Sequence, residues 1–341
     1  EEIKNLIYIN IYNNLEHIYK TKGTLRSLRN FMRCFGVDDE LVKVNVYTDE
    51  GTHYFTDKNR RTSVKKKFIN LNKPEYFDGT IYQNSSSLNT NTFIAGSTAA
   101  ENSAFTAEAG ILVPHKIPAE RTGFFSTPFL SSSIFGVHEA NASTVADYTW
   151  GTDVGNLQVY LVRDKLESTR AKFVIENTAK TIFLTSSYYD EIYDNNYWTV
   201  AFSVKPDIYQ LSSSAAPTYT LQFYGVNYNF DDIRHEFNLT ASLNNATGLG
   251  FLTTTRRIYA GAHNTNFTGS ALVYSDVKLG SVRYWMDYLE PSVIRKHTAD
   301  MTNYGAASTY QAPTLFADQL SNAHVPSYDT LVLNWDFDTI T

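Results

Sequence analysis

The stretch from Arg256 to Leu289 reads RRIYAGAHNTNFTGSALVYSDVKLGSVRYWMDYL. It predicts three β-strands, at 258–262, 271–274 and 278–289, with a polar loop at 263–268 between the first two. In the third strand two sets of side chains alternate, namely Val282, Tyr284 and Met286 against Arg283, Trp285 and Asp287. A period of two in aromatic and β-branched residues is typical of half-buried antiparallel strands. This stretch therefore indicates an all-β fold.

Further segments carry the same signal, each a short apolar or aromatic run between turn residues. The predicted strands are 79–82, 105–112, 123–129, 132–138, 157–163, 171–176, 181–185, 198–205, 218–224 and 234–241. The clearest has Trp198, Val200, Phe202 and Val204 on one face and Tyr197, Thr199, Ala201 and Ser203 on the other. Many short strands at this spacing favour a sandwich or a barrel.

Two phrases in these strands carry a resemblance. Arg257-Ile-Tyr-Ala-Gly-Ala-His263, followed by Asp276-Val277 and Arg283, resembles the late strands of the laminin-G/concanavalin-like jelly roll. Asp194-Asn-Asn-Tyr-Trp198 is similar to the central strand of the same family. The likeness is greatest to versions in large structural proteins of tailed bacteriophages. It implies a jelly-roll sandwich of two antiparallel sheets, and it says more about fold than about function.

The N-terminal residues predict a helical hairpin. Apolar residues recur at helical spacing over 3–19, and Thr24 is a suitable N-cap for a second helix that ends at Phe35, before Gly36. The hairpin is too small to be stable alone, so we expect its apolar faces to dock on another surface. The phrase from Tyr19 to Val37, YKTKGTLRSLRNFMRCFGV, resembles a recurring segment of phage virion proteins.

We predict four parts in the chain. They are a helical hairpin with a short strand (1–48), a basic loop or linker (49–75), the laminin-G-like sandwich (76–310) and a C-terminal segment (311–341). A short helix is expected at 292–299. The phrase LVLNWDFD at 331–338 is similar to the opening strand of a laminin-G-like domain. It either closes this sandwich or begins a second module.

Bulk properties exclude several classes of protein. The net charge of −6 argues against general nucleic-acid binding, although residues 1–67 are basic. The single cysteine, Cys34, cannot form an intrachain disulfide. No apolar run approaches the roughly 20 residues of a membrane helix. The first residue is Glu1 and not Met, so we expect a piece of a longer protein.

A search for catalytic and metal-binding motifs finds none, so we predict that the chain is not an enzyme and holds no cofactor. Calcium is an alternative, because Asp231-Asp232, Asp190-Glu191, and Asp336 with Asp338 supply carboxylates, yet no loop motif supports it. A degenerate glycosidase is a third hypothesis, and it requires two carboxylates about 5–9 Å apart.

The candidate ligand contacts are polar or aromatic residues expected on the surface. His263, Asn264 and Asn266 lie in the predicted polar loop, where a histidine more often hydrogen-bonds to backbone. Tyr188, Tyr189 and Tyr193 form an aromatic group that suits either sugar stacking or a packing interface.

The candidate assembly contacts are basic. They are Arg26, Arg29 and Arg33 on the second helix and Arg60, Arg61, Lys65, Lys66 and Lys67 in the basic loop. A solvated basic surface is the ordinary explanation of such residues.

Together these features favour a non-catalytic structural or assembly component of a phage virion, in its tail, baseplate, fibre or capsid exterior. The expected partners are other virion proteins or copies of the chain, with host or surface glycans as a further candidate. The alternative is a carbohydrate-binding adhesion module of a cell-surface or secreted protein.

Overall fold

The computed structural model describes residues 2–37, 45–48, 51–54, 67–83, 94, 103–115, 129–139, 156–166, 168–177, 180–208, 217–229, 232–265, 269–301 and 331–337. The chain divides into two compact units, Glu1–Lys65 and Lys66–Thr341. The first contains the helical hairpin, and the second contains an antiparallel β-sandwich.

The elements are numbered in chain order. The α-helices are α1 (Glu2–Lys20), α2 (Leu25–Cys34), α3 (Asn245–Thr253) and α4 (Pro291–Ala299), and Pro74–Tyr76 is a 3-10 helix. The first strands are β1 (Asn45–Thr48), β2 (Gly51–Tyr54), β3 (Ile69–Asn70), β4 (Thr80–Tyr82), β5 (Phe105–Val113), β6 (Ser131–Glu139), β7 (Leu157–Arg163) and β8 (Ala171–Asn177). The remaining strands are β9 (Phe183–Thr185), β10 (Asn196–Pro206), β11 (Tyr219–Asn229), β12 (Asp232–Leu243), β13 (Arg256–Gly261), β14 (His263–Asn264), β15 (Ala271–Val273), β16 (Lys278–Trp285) and β17 (Leu331–Asp336).

In the first unit α1 and α2 pack together as the predicted hairpin. The Thr24 hydroxyl accepts a hydrogen bond from the Ser27 amide and caps α2. At the other end of α2, Gly36 has a positive φ of 79°, and its amide donates to Arg33 while the Val37 amide donates to Met32. This is a Schellman ending, as the glycine after the helix predicts. β1 and β2 pair with each other, so this hairpin crosses the predicted boundary at residue 48.

The second unit is a sandwich of two antiparallel sheets, which confirms the predicted fold class. The larger sheet has the order β12-β11-β10-β5-β16-β17, with β3 also pairing with β16. The smaller sheet has the order β4-β13-β6-β7-β8-β9. Their facing sides form one apolar core that includes Phe105, Phe135, Phe173, Trp198 and Tyr284. α3, which the sequence did not predict, adds Phe251 and Leu252 to this core.

Most predicted strands are confirmed within a few residues at each end. Residues 123–128 lie outside the described residues, as do 302–323. The sandwich begins before the predicted position 76, because β3 pairs with β16 and Leu71 is 4% exposed in the core. β17 pairs with β16 through five residues, so this segment is a strand of the same sheet and not the start of another module.

The second face of β10 is buried, although the alternation predicts a half-buried strand. Thr199, Ala201 and Ser203 are at most 3% exposed. The reason is α4, which lies over this outer face of the larger sheet. Ile294 of α4 and Leu289, which precedes the helix, pack in one apolar cluster with Ala201. The helix itself was predicted, but its position over this face was not.

Replacing Gly261 by alanine is expected to lower the free energy of unfolding of the sandwich by about 2 kcal/mol. Gly261 has a φ of 95°, and a Cβ there would lie 2.4 Å from the backbone oxygen of Gly79. The same oxygen accepts a hydrogen bond from the Ala262 amide, so it cannot move away without losing that bond. Urea unfolding followed by tryptophan fluorescence measures the change. A Gly261→Ala variant as stable as the parent would contradict this close approach.

Candidate functional site

The most concentrated polar chemistry lies under α4, on the outer face of the larger sheet. We call it the Glu108 cluster, and it comprises Glu108 on β5, Arg283 and Trp285 on β16, and His297 on α4. All four residues are at most 2% exposed. Glu108, Arg283 and Trp285 lie on the same side of the adjacent strands β5 and β16, because Glu108 is opposite Arg283 in their pairing. The cluster therefore joins two strands and a helix whose residues are up to 189 positions apart in the sequence.

Each oxygen of Glu108 has a partner in this cluster. His297 Nδ1 lies 3.0 Å from Glu108 Oε2, and Trp285 Nε1 donates to Oε1 at 3.1 Å. Arg283 donates to the same Oε1 at 3.4 Å and also to the Asn334 side chain and the Met301 carbonyl. The His297 ring stacks on Trp285 with centroids 5.4 Å apart.

The environment keeps Glu108 ionised. Burial by itself raises the pKa of this carboxyl, but His297 and Arg283 outweigh burial, and the pKa falls to about 2. A buried carboxylate with this many donors is a fixed charge over the ordinary pH range. It suits an anchor for α4 better than a group that exchanges protons with a substrate.

A second contact fixes the same helix closer to solvent. Arg295 of α4 lies 2.5 Å from Glu236 Oε1, and the Tyr224 hydroxyl donates to that oxygen at 2.7 Å. The side chains of Arg295 and Glu236 are 39% and 26% exposed, so this pair is weaker than the buried one. The two acids lie on β5 and β12, whose backbones are three strand spacings apart, or roughly 14 Å.

The outer face of the smaller sheet carries another polar cluster, under the hairpin of β14 and β15. We call it the His263 cluster, and it comprises His138, Gln158, Tyr160, Tyr259 and His263. His263 Nδ1 and the Tyr160 hydroxyl are 2.7 Å apart, and His138 donates from Nε2 to Gln158 Oε1 at 2.7 Å. Burial lowers the pKa of His263 to about 4. Burial and the neighbouring His263 lower the pKa of His138 well below its usual value, although Gln158 acts against this. Both imidazoles are therefore neutral near pH 7.

Two of the predicted ligand contacts, His263 and Asn264, do not lie at an exposed loop tip. His263 and Asn264 form β14 and are 8% and 6% exposed, which corrects the prediction. The Asn264 amide donates to the Tyr259 hydroxyl, so both residues attach the hairpin to the sheet beneath it. Asn266 lies outside the described residues.

The three predicted tyrosines do not share one surface. Tyr193 is fully buried and donates to Asp276, so its assignment to the surface was wrong. Tyr189 is half-buried against Trp198 and His235. Tyr188 is half-buried, with Arg170 and Lys172 about 5 Å from its ring centroid. Its ring is thus already in contact with two cations.

Of the predicted assembly residues, Arg26 and Arg33 are exposed on α2 and Arg29 is half-buried. Lys67 is also exposed. Arg60, Arg61, Lys65 and Lys66 lie outside the described residues. The structure brings three arginines of this set together on one helix.

Two of the carboxylates considered for calcium, Asp190 and Glu191, form ion pairs. Asp190 pairs with Arg170 at 3.2 Å, and Glu191 pairs with Arg234 at 2.6 Å. Asp231 and Asp338 lie outside the described residues. Within the described ranges, no group of three or more His, Cys, Asp or Glu side chains could hold a metal ion. None of the described helices is long and apolar enough to cross a membrane.

The sequence did contain one signal for the Glu108 cluster. Glu108 is the single charged residue of the strand FTAEAGILV, and a charge within an apolar strand requires a buried partner. Its partners, Arg283 and His297, are 175 and 189 residues away, so local patterns could not identify them.

No family model and no curated protein sequence matches this chain. Among solved structures, the chain is similar to the enzymatically active domain of bacteriophage CBA120 tailspike protein 2, with 12% sequence identity and a TM-score of 0.35. The match covers 72% of this chain and 32% of the tailspike chain. An endo-1,3-β-glucanase from Streptomyces sioyaensis shows 12% identity over 60% of this chain and 74% of its own, with a TM-score of 0.33. A legume lectin-like domain from Entamoeba histolytica shows 8% identity over 67% of this chain and 100% of its own, with a TM-score of 0.28. The chain thus spans about a third of the tailspike chain, and likenesses this distant do not identify its function.

Proposed function

We propose that this chain is a non-catalytic structural component of a tailed-phage virion, which acts through protein–protein contacts in the tail, baseplate, fibre or capsid exterior. The observation that carries the proposal is the surface of α1. Seven of its apolar side chains are 40% to 79% exposed, namely Ile3, Leu6, Tyr8, Ile9, Tyr12, Leu15 and Tyr19. Monomeric soluble proteins seldom expose so much apolar surface on one element, and such surfaces mark interaction sites.

The two polar clusters support the same proposal. In each cluster, polar side chains on the outer face of a sheet bind another element of the same chain. The Glu108 cluster binds α4, and the His263 cluster binds the hairpin of β14 and β15. Glu108 is 2% exposed and Glu236 pairs with Arg295, so both carboxylates attach α4 to the sheet. The assignment of the protein to a virion rests on the resemblance of its sequence to structural proteins of tailed bacteriophages.

Cross-linking of purified particles tests the proposal. Lys4, Lys20 and Lys22 are exposed on the helical hairpin and can react with a lysine-specific reagent. We expect mass spectrometry to find cross-links from these lysines to other virion chains or to a second copy of this chain. Absence of the protein from purified particles would overturn the virion assignment, and an extracellular or cell-surface location would then be the alternative.

A glycan array, run with and without calcium, tests the carbohydrate-binding alternative. We expect weak binding or none, because Tyr188 is covered by two cations and Tyr193 is buried. Strong calcium-dependent binding of a sugar would instead favour an adhesion module. Weak binding without calcium would be compatible with a structural protein that also contacts surface glycans.

A further inference from the structure

The helix α1 has a wider apolar surface than its packing against α2 requires. The eleven residues from Asn5 to Leu15 include no charged side chain. A helix that covers one partner normally has an apolar stripe of about 100° and a charged opposite face. At 100° per residue, the arc from Ile3 to Tyr12 extends over roughly 180° of α1, and the polar residues within it are Lys4 and Asn14. Part of this surface therefore remains for a second partner.

One part of the arc is half-buried, and its other residues are exposed. Ile7, Ile11 and Ile18 are half-buried, and they lie on one face of α1. Next to this face, about 90° around the helix, lie Tyr8, Tyr12, Leu15 and Tyr19. These four residues, which we call the Tyr stripe, are 58%, 79%, 40% and 68% exposed.

The spacing of the Tyr stripe matches that of helices that pair with copies of themselves. Its positions are separated by four, three and four residues, which is the d-a-d-a spacing of a heptad. The four side chains of the stripe are uncharged, and at its N-terminal end Lys4 Nζ lies 5.7 Å from the centroid of the Tyr8 ring. The nearest charges at its C-terminal end, Glu16 and Lys20, neutralise each other in an ion pair of 2.6 Å.

The area of the Tyr stripe is sufficient for a weak dimer. Its three rings and Leu15 expose roughly 500 Å² in one copy. Two facing stripes would bury about 1,000 Å² in total, which is the lower limit of a specific interface. Such an interface is weak for free subunits and becomes stable when a particle holds the copies close together.

We propose that the Tyr stripe is a homotypic docking surface, and that its occupant is α1 of a second copy of this chain. This proposal rests on the assembly function proposed above, for which it names the partner and the surface. The two helices would meet in a two-fold arrangement, the symmetry that most homodimers adopt.

Sedimentation velocity of the full chain, from roughly 1 to 100 µM, tests the proposal. We expect a reversible dimer whose Kd rises at least tenfold in the double variant Tyr12→Gln/Tyr19→Gln. Glutamine is a good helix former, so the variant should keep its helical circular dichroism. The control is Asn13→Gln/His17→Gln, which changes two exposed residues on the opposite side of the same helix and should leave the Kd within about threefold.

A parent chain that is monomeric at the highest concentration would overturn the homotypic surface. A dimer that survives the Tyr12/Tyr19 changes, or that is lost equally in the control, would also overturn it. These results leave the assembly function intact if cross-links to other virion chains are found in particles. Conversely, a stripe-dependent dimer of a protein that is absent from particles would overturn the virion assignment alone.

Discussion

Replacing Glu108 by glutamine is expected to lower the free energy of unfolding of the sandwich by about 3 kcal/mol. The substitution keeps the size of the side chain and an acceptor for Trp285, but it removes the negative charge. Arg283 is 2% exposed, and its guanidinium would remain buried without the carboxylate that now lies 3.4 Å away. Urea unfolding followed by the fluorescence of Trp285 and Trp198 measures the loss, because both rings are buried in the sandwich.

The same substitution at Glu236 is the matched control. Glu236 also holds α4, through Arg295, but both side chains are partly exposed and solvent screens the pair. Glu236→Gln should therefore cost less than about 1 kcal/mol. If the two variants were equally stable, the Glu108 cluster would not be the main attachment of α4. If Glu108→Gln failed to fold, the acid titration of the parent chain would still test the pKa of Glu108.

Acidification is expected to destabilise the sandwich in two successive pH windows. The pKa of His263 is about 4 in the folded state, below the usual value of 6.5, so the folded state favours the neutral imidazole. The neutral ring of His263 contributes fully to the free energy of unfolding above pH 6.5. This contribution, about 3 kcal/mol, is lost as the pH falls towards 4. His138 acts in the same direction. The pKa of Glu108 is about 2, below its usual 4.5. The contribution of the Glu108 carboxylate to the free energy of unfolding is therefore lost in a second window, as the pH falls from 4.5 to 2.

Unfolding free energies measured from pH 7 to 2 separate these contributions. His263→Asn removes the titrating ring and keeps a polar group near the Tyr160 hydroxyl, so the decrease between pH 6.5 and 4 should become smaller. A parent chain whose stability is constant from pH 6.5 to 4 would contradict the burial of His263 as a neutral group.

The sandwich could be predicted because its strands have local signals. The residues Leu157–Arg163 were predicted as a strand with the same bounds that the structure shows. The two ends of α2 were predicted equally well, since Thr24 and Gly36 act on backbone groups within three or four residues. α3 was missed because the segment NATGLGFLT contains two glycines and has no amphipathic period.

The candidate ligand site was predicted less well. A histidine between Gly261 and several polar residues has the local pattern of a loop, yet His263 is buried because β6, β7 and β13 lie beneath it. The same limit applies to Tyr193, which is buried by its contacts with Arg163 and Asp276. Both residues have local patterns typical of the surface, and both are covered by parts of the chain that are distant in sequence.

Local sequence patterns predict the period of each strand, the ends of the helical hairpin and the apolar arc of α1, because these features depend on neighbouring residues. Which outer faces of the sandwich are covered depends on contacts between distant parts of the chain. The closure by α4 depends on Glu108 and His297, which are 189 residues apart, and the closure by β14 depends on Tyr160 and His263, which are 103 residues apart. Contacts at such separations form only when the sheets have assembled, since no local period encodes which element will cover a face.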